Sequence, residues 1–191
     1  MTTNVAGQAC SFTVISPVLT GHDEPLRTHL RTLELGHGSP VAALGTVHFA
    51  RWVVFACPEH PSARDSPDPR QRYLLFDCCF DGSLNVFLET MRSRMQGEVD
   101  AIWRHCVGYP GSSDGRAFAE YLLRHQVDAS VFLAAYPDAT VQEVHASLEL
   151  RSRVIEFAVT TQDLDAPALL AAFHRSFAGA RFPGVDVEVR A

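Results

Sequence analysis

The segment 46–57 constrains the fold of this chain more than any other segment. It reads Thr-Val-His-Phe-Ala-Arg-Trp-Val-Val-Phe-Ala-Cys and is rich in the β-branched and aromatic residues that favour a strand. Side chains alternate across a strand, so His48 should lie on the same face as Trp52, and Arg51 on the opposite face. Because both faces are mostly apolar, the pattern predicts an interior strand that is covered on both sides, and Pro58 ends it.

Apolar periodicity predicts further strands and helices around this segment. Runs of apolar residues predict strands at 11–18, 73–80 and 129–136. Apolar residues at helical spacing predict helices at 23–35, 98–105 and 116–125, and another that begins at Leu84 after a polar turn. The connection 58–71 carries four prolines and no core pattern, which indicates a surface loop or a lid over a pocket.

The last fifty residues begin with a capping box. Thr140-Val-Gln-Glu143 has the spacing in which the first and last side chains each accept a bond from the other's backbone. The helix behind it should turn four apolar residues inward: Val141, Val144, Leu148 and Ile155. A further helix at 166–177 and a valine-alternating strand at 185–189 form a C-terminal extension over 163–191.

The order of these elements is β-α-β-β-α-β, with extra helices inserted before the fourth strand. This order predicts an α+β protein with a ferredoxin-like antiparallel sheet, built as one domain over 1–191 with its core at 11–160. Helices would cover one face of the sheet. The other face is also apolar, so either the inserted helices or a second subunit must cover it, and the second case would give a dimeric α+β barrel.

Composition excludes several partners from the expected function. The formal net charge is -6 and no Lys/Arg-rich run exists, which argues against nucleic acid and against an anionic membrane surface. No apolar run is long enough to span a bilayer, and the N-terminus lacks a signal-peptide pattern, so the protein is expected to be cytoplasmic. Five cysteines without a CxxC pair predict free thiols and no zinc site.

Two polar residues of the segment 46–57 are the first candidates for chemistry. His48 could act as a general base, since its unperturbed pKa lies near neutral pH, or could bind haem iron. It could also simply be hydrogen-bonded to a neighbouring carbonyl or to Asp81. Arg51 needs an anionic partner, because a buried guanidinium is costly when unpaired. That partner could be Asp77 or Asp81, or the carboxylate of a substrate.

A second polar focus follows the helix at 98–105. His105 and Tyr109 are the catalytic candidates there, and Cys106 would be a nucleophile only if a neighbouring base lowered its pKa. A buried, inert thiol is the alternative for Cys106. His125 lies on the apolar face of its helix, where a capped core histidine is the alternative to a ligand-binding one. The remaining histidines, among them His22, are expected at the surface.

A small hydrophobic molecule is the expected ligand of this protein. It would bind in an apolar pocket on the open face of the sheet, lined in part by Phe12, Val14, Trp52, Phe76, Phe80 and Phe132. The substrate-binding candidates are Trp52, Phe76, Phe80, Asp81, Cys106 and His125.

Four stretches carry a resemblance to a known family. They are Thr46-Val-His-Phe-Ala-Arg-Trp, Tyr73-Leu-Leu-Phe with Phe80-Asp-Gly-Ser, Asp100-Ala-Ile-Trp-Arg-His-Cys-Val-Gly-Tyr-Pro, and Ala135-Tyr-Pro-Asp. Over about residues 11–160 the chain resembles a bacterial family of ferredoxin-like α+β proteins whose members look like relatives or companions of haem peroxidases and lipid-oxidising enzymes. The chain departs from that pattern at Asp77-Cys-Cys79. The resemblance implies a place in the α+β barrel superfamily, which includes haem enzymes and cofactor-free oxygenases.

Three functions are therefore open at the level of the sequence. The first is an enzyme that oxidises, cyclises or transfers a proton on a hydrophobic substrate, with a histidine as acid or base and with no cofactor, since no metal-binding cluster of suitable spacing appears. The second is a haem-binding oxidative protein or a partner of a peroxidase. The third is a non-catalytic binding module that forms a homodimer.

Overall fold

The computed structural model describes residues 4–56, 71–178, 181–182 and 185–188. It shows an α+β protein with an antiparallel sheet and several helices, which confirms the predicted class. The chain divides into two compact units, residues 1–138 and 139–191. The prediction of a single domain over 1–191 stays a prediction.

The first unit is built on an antiparallel sheet. Its strands are β1 (Val5–Ala6), β2 (Ala9–Val18), β3 (Val47–Ala56), β4 (Arg72–Asp81) and β5 (Gln126–Val127). They are hydrogen-bonded in the order β1-β2-β4-β3, and β5 also pairs with β2. Because β4 pairs antiparallel with both β2 and β3, those two strands run in the same direction on either side of it. The three long predicted strands are confirmed, but β4 is the interior strand of the three. Among the described residues β3 lies at the edge of the sheet, so its predicted interior position is wrong.

Helices of the first unit pack on one face of this sheet. They are α1 (Asp23–Thr32), α2 (Leu84–Arg94), α3 (Gln96–Trp103) and α4 (Gly115–Arg124). Ser83 caps α2, and Asp114 caps α4 through two backbone N–H groups. Inward side chains of β2 and β4 meet these helices in a buried aromatic core, where the rings of Phe80 and Phe87 stack with centroids 4.0 Å apart.

The predicted fourth strand at 129–136 is wrong. Those residues have no regular structure, and Val131, Leu133 and Tyr136 are 70%, 84% and 80% exposed. Only β5 pairs with β2 in this region, because β1 already occupies part of the same edge through Val5 opposite Cys10. The segment is instead fixed to the N-terminal hairpin by single hydrogen bonds, including Gln8 N to Pro137 O at 2.7 Å.

The second unit contains a helical hairpin and a small sheet. Its elements are α5 (Val141–Thr160), α6 (Ala166–Phe177), β6 (Arg181–Phe182) and β7 (Val185–Glu188). The capping box is confirmed: Glu143 N donates to Thr140 Oγ1, and Thr140 N donates to Glu143 Oε2. The predicted helix at 166–177 is confirmed, and the predicted strand appears as β7, with residue 189 outside the described residues.

The inward face predicted for α5 is mostly wrong. Val141 is buried, but Val144, Leu148 and Ile155 are exposed. The helix uses another face: Phe157 contacts Phe173 and Phe177 of α6, with ring centroids 5.9 and 5.4 Å away. The spacing of apolar residues predicts the helix correctly. The helix has apolar residues on more than one face, however, and the spacing does not indicate which face packs against α6.

Candidate functional site

The face of the sheet opposite the helices carries the candidate site, and we call it the open face. Its residues include Thr13 of β2, His48, Phe49, Arg51 and Val53 of β3, and Asp77, Cys79 and Asp81 of β4. Phe49 and Val53 are 54% and 42% exposed, which is unusual for apolar residues in the middle of a strand. The open face is therefore an accessible apolar surface crossed by a line of polar side chains.

A β-bulge places His48 on the open face. The register of β3 against β4 shifts between Val47 and Phe49, so His48 is the extra residue. Val47 and Ala50 both pack against the core, whereas His48 and Phe49 are exposed. Strict alternation had put His48 beside Trp52 on a buried face, and the bulge shows that this assignment is wrong.

His48 and Asp81 form a close polar pair across two strands. His48 Nε2 lies 2.7 Å from Asp81 Oδ1, and the two side chains are 26% and 11% exposed. A carboxylate can only accept this bond, so Nε2 carries the hydrogen and Nδ1 of the neutral ring keeps its lone pair. Within the described part of the chain Nδ1 has no hydrogen-bond partner. The pair thus presents an oriented imidazole whose second nitrogen can accept a proton.

Arg51 pairs with Asp77 next to this histidine. Arg51 Nε donates to Asp77 Oδ2 at 3.0 Å, and Thr13 Oγ1 donates to Asp77 Oδ1 at 2.8 Å. The three residues lie directly opposite one another on neighbouring strands. Because the Arg51 side chain is 66% exposed, its terminal nitrogens remain accessible for an anionic group. Asp77 is one of the partners predicted for Arg51 from the sequence.

The cysteines of β4 do not supply a nucleophile. Cys79 lies on the open face, where burial and then the neighbouring Asp81 raise the pKa of its thiol to about 11. Cys78 points into the core, where burial raises its pKa well above the usual value. The thiolate is the reactive form, so both side chains are inert near neutral pH. The same holds for Cys106, whose pKa burial raises to about 12.

Tyr109, predicted as a catalytic residue, lies in a different polar cluster from His48. Its hydroxyl donates to Asp100 Oδ1 at 2.7 Å, and Ser112 donates to both oxygens of the same carboxylate. Burial and this bond to Asp100 raise the pKa of Tyr109 far above its usual value. The cluster fastens the turn at 108–111 to α3, which is a structural role.

His105 pairs with a second histidine, a contact that no sequence pattern indicated. Its Nδ1 lies 3.1 Å from Nδ1 of His22, and the ring centroids are 5.2 Å apart. His105 is only 7% exposed, and burial, followed by Arg104, His22 and His29, lowers its pKa. One nitrogen must donate and the other accept, so the contact holds only while at least one ring is neutral. His22 was expected at the surface. The two histidines are 83 residues apart in the chain, and no spacing rule connects them.

The expected apolar pocket on the open face is not formed by the predicted residues. Phe12, Val14, Phe76 and Phe80 are fully buried on the helix-covered face, so their placement in a pocket on the open face is wrong. Trp52 packs against Phe76 on that same face, with ring centroids 5.1 Å apart. Of the six substrate-binding candidates, the structure brings only Asp81 together with His48 and Arg51.

The remaining two candidates also lie away from the open face. His125 Nδ1 is 2.9 Å from the backbone oxygen of Tyr121, one turn earlier in its own helix. Cys106 is buried and forms a backbone bridge with Val18. Both residues therefore take the structural alternatives that the sequence left open. The possible lid at 58–71 lies, apart from Gln71, outside the described residues.

A metal centre or a haem would have few ligands in this arrangement. No group of three or more metal-binding side chains occurs within the parts of the chain that the structure describes. His105 is buried against His22, so a porphyrin could reach it only by displacing that ring. His48 keeps Nδ1 accessible, and a carboxylate bonded to the other ring nitrogen is a common arrangement for a histidine that binds a metal. Haem binding through His48 therefore stays a prediction.

Comparisons with known proteins leave the chain without an identified relative: no known family, curated protein or solved structure matches it. The helices within the described ranges include none with the length and apolar character needed to cross a membrane.

Proposed function

We propose that this protein is an enzyme that performs acid–base chemistry on a small hydrophobic molecule bound to the open face. The observation that carries the proposal is the contact of 2.7 Å between His48 Nε2 and Asp81 Oδ1. A carboxylate that fixes the tautomer of a histidine is the arrangement by which many enzymes orient a general base. Here it leaves Nδ1 directed away from its partner and able to take a proton.

The proposed reaction is a proton transfer of the kind that starts an isomerisation or a cyclisation. Nδ1 of His48 takes a proton from an acidic C–H or O–H bond of the substrate, and the electron pair stays on the substrate. Asp81 stabilises the imidazolium that forms, because its negative charge lies in hydrogen-bond contact with the ring. The imidazolium then returns the proton to another atom of the substrate, so no electrons are gained or lost.

Substrate binding would use the residues next to His48 on β3. Phe49 and Val53 offer exposed apolar surface to the hydrocarbon part. The terminal nitrogens of Arg51 can donate to a carboxylate or carbonyl oxygen, while its Nε stays bonded to Asp77. Strand geometry puts Arg51 within about 10 Å of His48, which suits a compact substrate with one anionic group.

A second copy of the chain would complete the site. The open face is accessible, whereas an efficient catalytic pocket excludes water. In the ferredoxin-like arrangement proposed from the sequence, two sheets stack face to face as a dimeric α+β barrel, about 10 Å apart. The exposed Phe49 and Val53 are the surface that such a contact would bury.

Deuterium exchange tests the proposal without knowledge of the natural substrate. The probes are hydrophobic 2-oxo acids, with phenylpyruvate first, and NMR follows exchange of the C3 hydrogens in D2O. We expect the protein to accelerate exchange. The His48→Gln variant should catalyse exchange at least about 100-fold more slowly than the wild type, since general-base catalysis contributes 10²–10⁴-fold.

The matched control is His37→Gln, which replaces an exposed histidine of the short helix Gly36–Gly38 and should keep the wild-type rate. The exchange rate of Asp81→Asn should fall toward that of His48→Gln, because the amide oxygen can accept a hydrogen bond from Nε2 but carries no charge to stabilise the imidazolium. Equal rates for wild type and His48→Gln, or no acceleration over buffer, would refute the proposal.

The second candidate function is a non-catalytic module that dimerises through the open face. The exposed apolar side chains of Phe49 and Val53 are the surface through which such a module would associate. It predicts that Phe49→Asp abolishes function in cells while His48→Gln leaves it intact. A haem-binding role remains a prediction of the resemblance, and a Soret band after expression with added haem would support it.

A further inference from the structure

We infer that the first unit has a second, independent ligand site, which binds a small apolar molecule carrying an ammonium group. The site is a cleft of about 660 Å³ beside the N-terminal hairpin of β1 and β2. We call it the hairpin cleft. A cavity of this size lies within the range of about 300–1,000 Å³ that small-molecule sites occupy. Neither His48 nor Arg51 lines the cleft, so the inference does not depend on the proposed function.

One wall of the cleft is apolar and is formed by residues of β1, β4 and α2. Phe80 is fully buried at the end of β4, and Leu84 begins α2 directly after it. Val5 of β1 faces the same space and is about half exposed. The accessible side chains of Val5 and Leu84 can cover the hydrocarbon part of a ligand, and burial of apolar surface is the main source of affinity in such sites.

The hairpin that forms the opposite wall is held in place. Gln8 N donates to Pro137 O at 2.7 Å, and Ser11 N donates to Asn4 O at 2.8 Å. The backbone of Gly7 has a φ of 62°, and a Cβ added there would lie 2.2 Å from Pro137 O. A glycine is required at this position, since any side chain would push the hairpin away from residue 137. The cleft is thus largely formed before a ligand arrives.

Asp128 gives the cleft its charge preference. It is the only charged side chain among the described residues that line the cleft. Its Oδ1 accepts from Asn4 Nδ2 at 2.8 Å and from Gln126 Nε2 at 3.1 Å. Both donors are uncharged amides, so they fix the orientation of the carboxylate without neutralising it. Asn4 is itself fixed, because its Oδ1 accepts from Ala129 N at 2.8 Å.

The chemistry of the lining selects one class of ligand. An apolar wall with a single oriented carboxylate and no Lys or Arg favours a hydrophobic ammonium ion over a neutral or an anionic molecule of equal size. A primary ammonium group has further N–H donors, which can bond to the side-chain oxygen of Gln126.

Isothermal titration calorimetry with phenethylammonium chloride on the full chain tests this inference. We expect saturable binding, and no binding of phenylacetate, which has a similar shape and the opposite charge. Asp128→Asn should weaken the binding of phenethylammonium about tenfold, because the amide keeps the shape of the side chain and loses its charge. Val5→Trp, at an exposed position that faces the cleft, should block it.

Two controls separate this site from general electrostatics and from the proposed catalytic site. Asp163→Asn removes one exposed carboxylate of the second unit and should bind the amine like the wild type. His48→Gln should also bind it normally, even if its exchange activity is lost. The inference is overturned if Asp128→Asn or Val5→Trp binds phenethylammonium as tightly as the wild type, if phenylacetate binds equally well, or if no binding is detected.

Discussion

At the scale of single residues, the contact between His22 and His105 should make stability depend on pH. Burial lowers the pKa of His105 in the folded chain, with Arg104, His22 and His29 adding to the effect, while the unfolded chain titrates near 6.5. The unfolded state therefore binds more protons over the range between the two pKa values. The stability that comes from keeping His105 neutral in the folded chain is fully present above about pH 6.5. It is lost as the pH falls through that value toward the folded pKa.

Urea unfolding between pH 5 and 8 measures this effect. The free energy of unfolding should fall with acid, with a contribution from this one group of at most about 1.4 kcal/mol per pH unit. His105→Gln should flatten the slope below pH 6.5, whatever its stability at pH 8, and His37→Gln should leave the slope unchanged. An unchanged slope for His105→Gln would show that the pair does not control the titration.

The polar contacts of the site were predictable only where strand pairing determines them. Arg51 and Asp77 are opposite each other in neighbouring strands, so a correct order of strands was enough to name them as partners. Asp81 was one of the partners considered for His48, and the structure shows that contact. His48 itself was placed on the wrong face, because a one-residue bulge cannot be read from alternation. The contact between His22 and His105 depends on how loops meet in three dimensions, which no local pattern contains.

At the scale of elements, the capping box should stabilise the N-terminus of α5. Thr140→Ala removes the acceptor for Glu143 N and the hydroxyl that donates to Glu143 Oε2, while the backbone N–H of residue 140 can still donate to the glutamate. We expect a loss of about 1 kcal/mol in the stability of the second unit, measured by chemical unfolding followed by circular dichroism.

Thr160→Ala is the matched control for the cap at Thr140. The hydroxyl of Thr160 bonds back to Glu156 O inside the same helix, a contact that contributes little. Its replacement should therefore change stability by less than about 0.5 kcal/mol. If the two variants were equally stable, the cap seen in the structure would have no energetic role.

Strong local patterns explain which elements could be predicted. The helix at 166–177 and the capping box rest on signals within a few residues, and both are confirmed. The strand expected at 129–136 has alternating apolar residues as well, but a strand also needs a free edge. That edge of β2 is partly taken by β1, a two-residue strand too short to be recognised in the sequence.

At the scale of the whole molecule, the exposed apolar residues of β3 should make the chain a dimer. A stable interface buries about 800 Å² on each partner, so the exposed side chains of β3 would contribute together with those of the neighbouring strands on the open face. Val53→Asp would place a charge in the centre of that contact, where its desolvation opposes association. We expect the wild type to sediment as a dimer and Val53→Asp as a monomer with an unchanged circular dichroism spectrum.

Val86→Asp is the matched control, because Val86 is also exposed but lies on α2, on the helix-covered side of the sheet. It should sediment like the wild type. The dimer also connects the two proposed properties of the open face: if a second copy excludes water around His48, Val53→Asp should lose exchange activity together with dimerisation. A wild type that sediments as a monomer at all concentrations, or a Val53→Asp variant that remains a dimer, would contradict the arrangement. The catalytic proposal would then have to rest on a site that a single chain closes by itself.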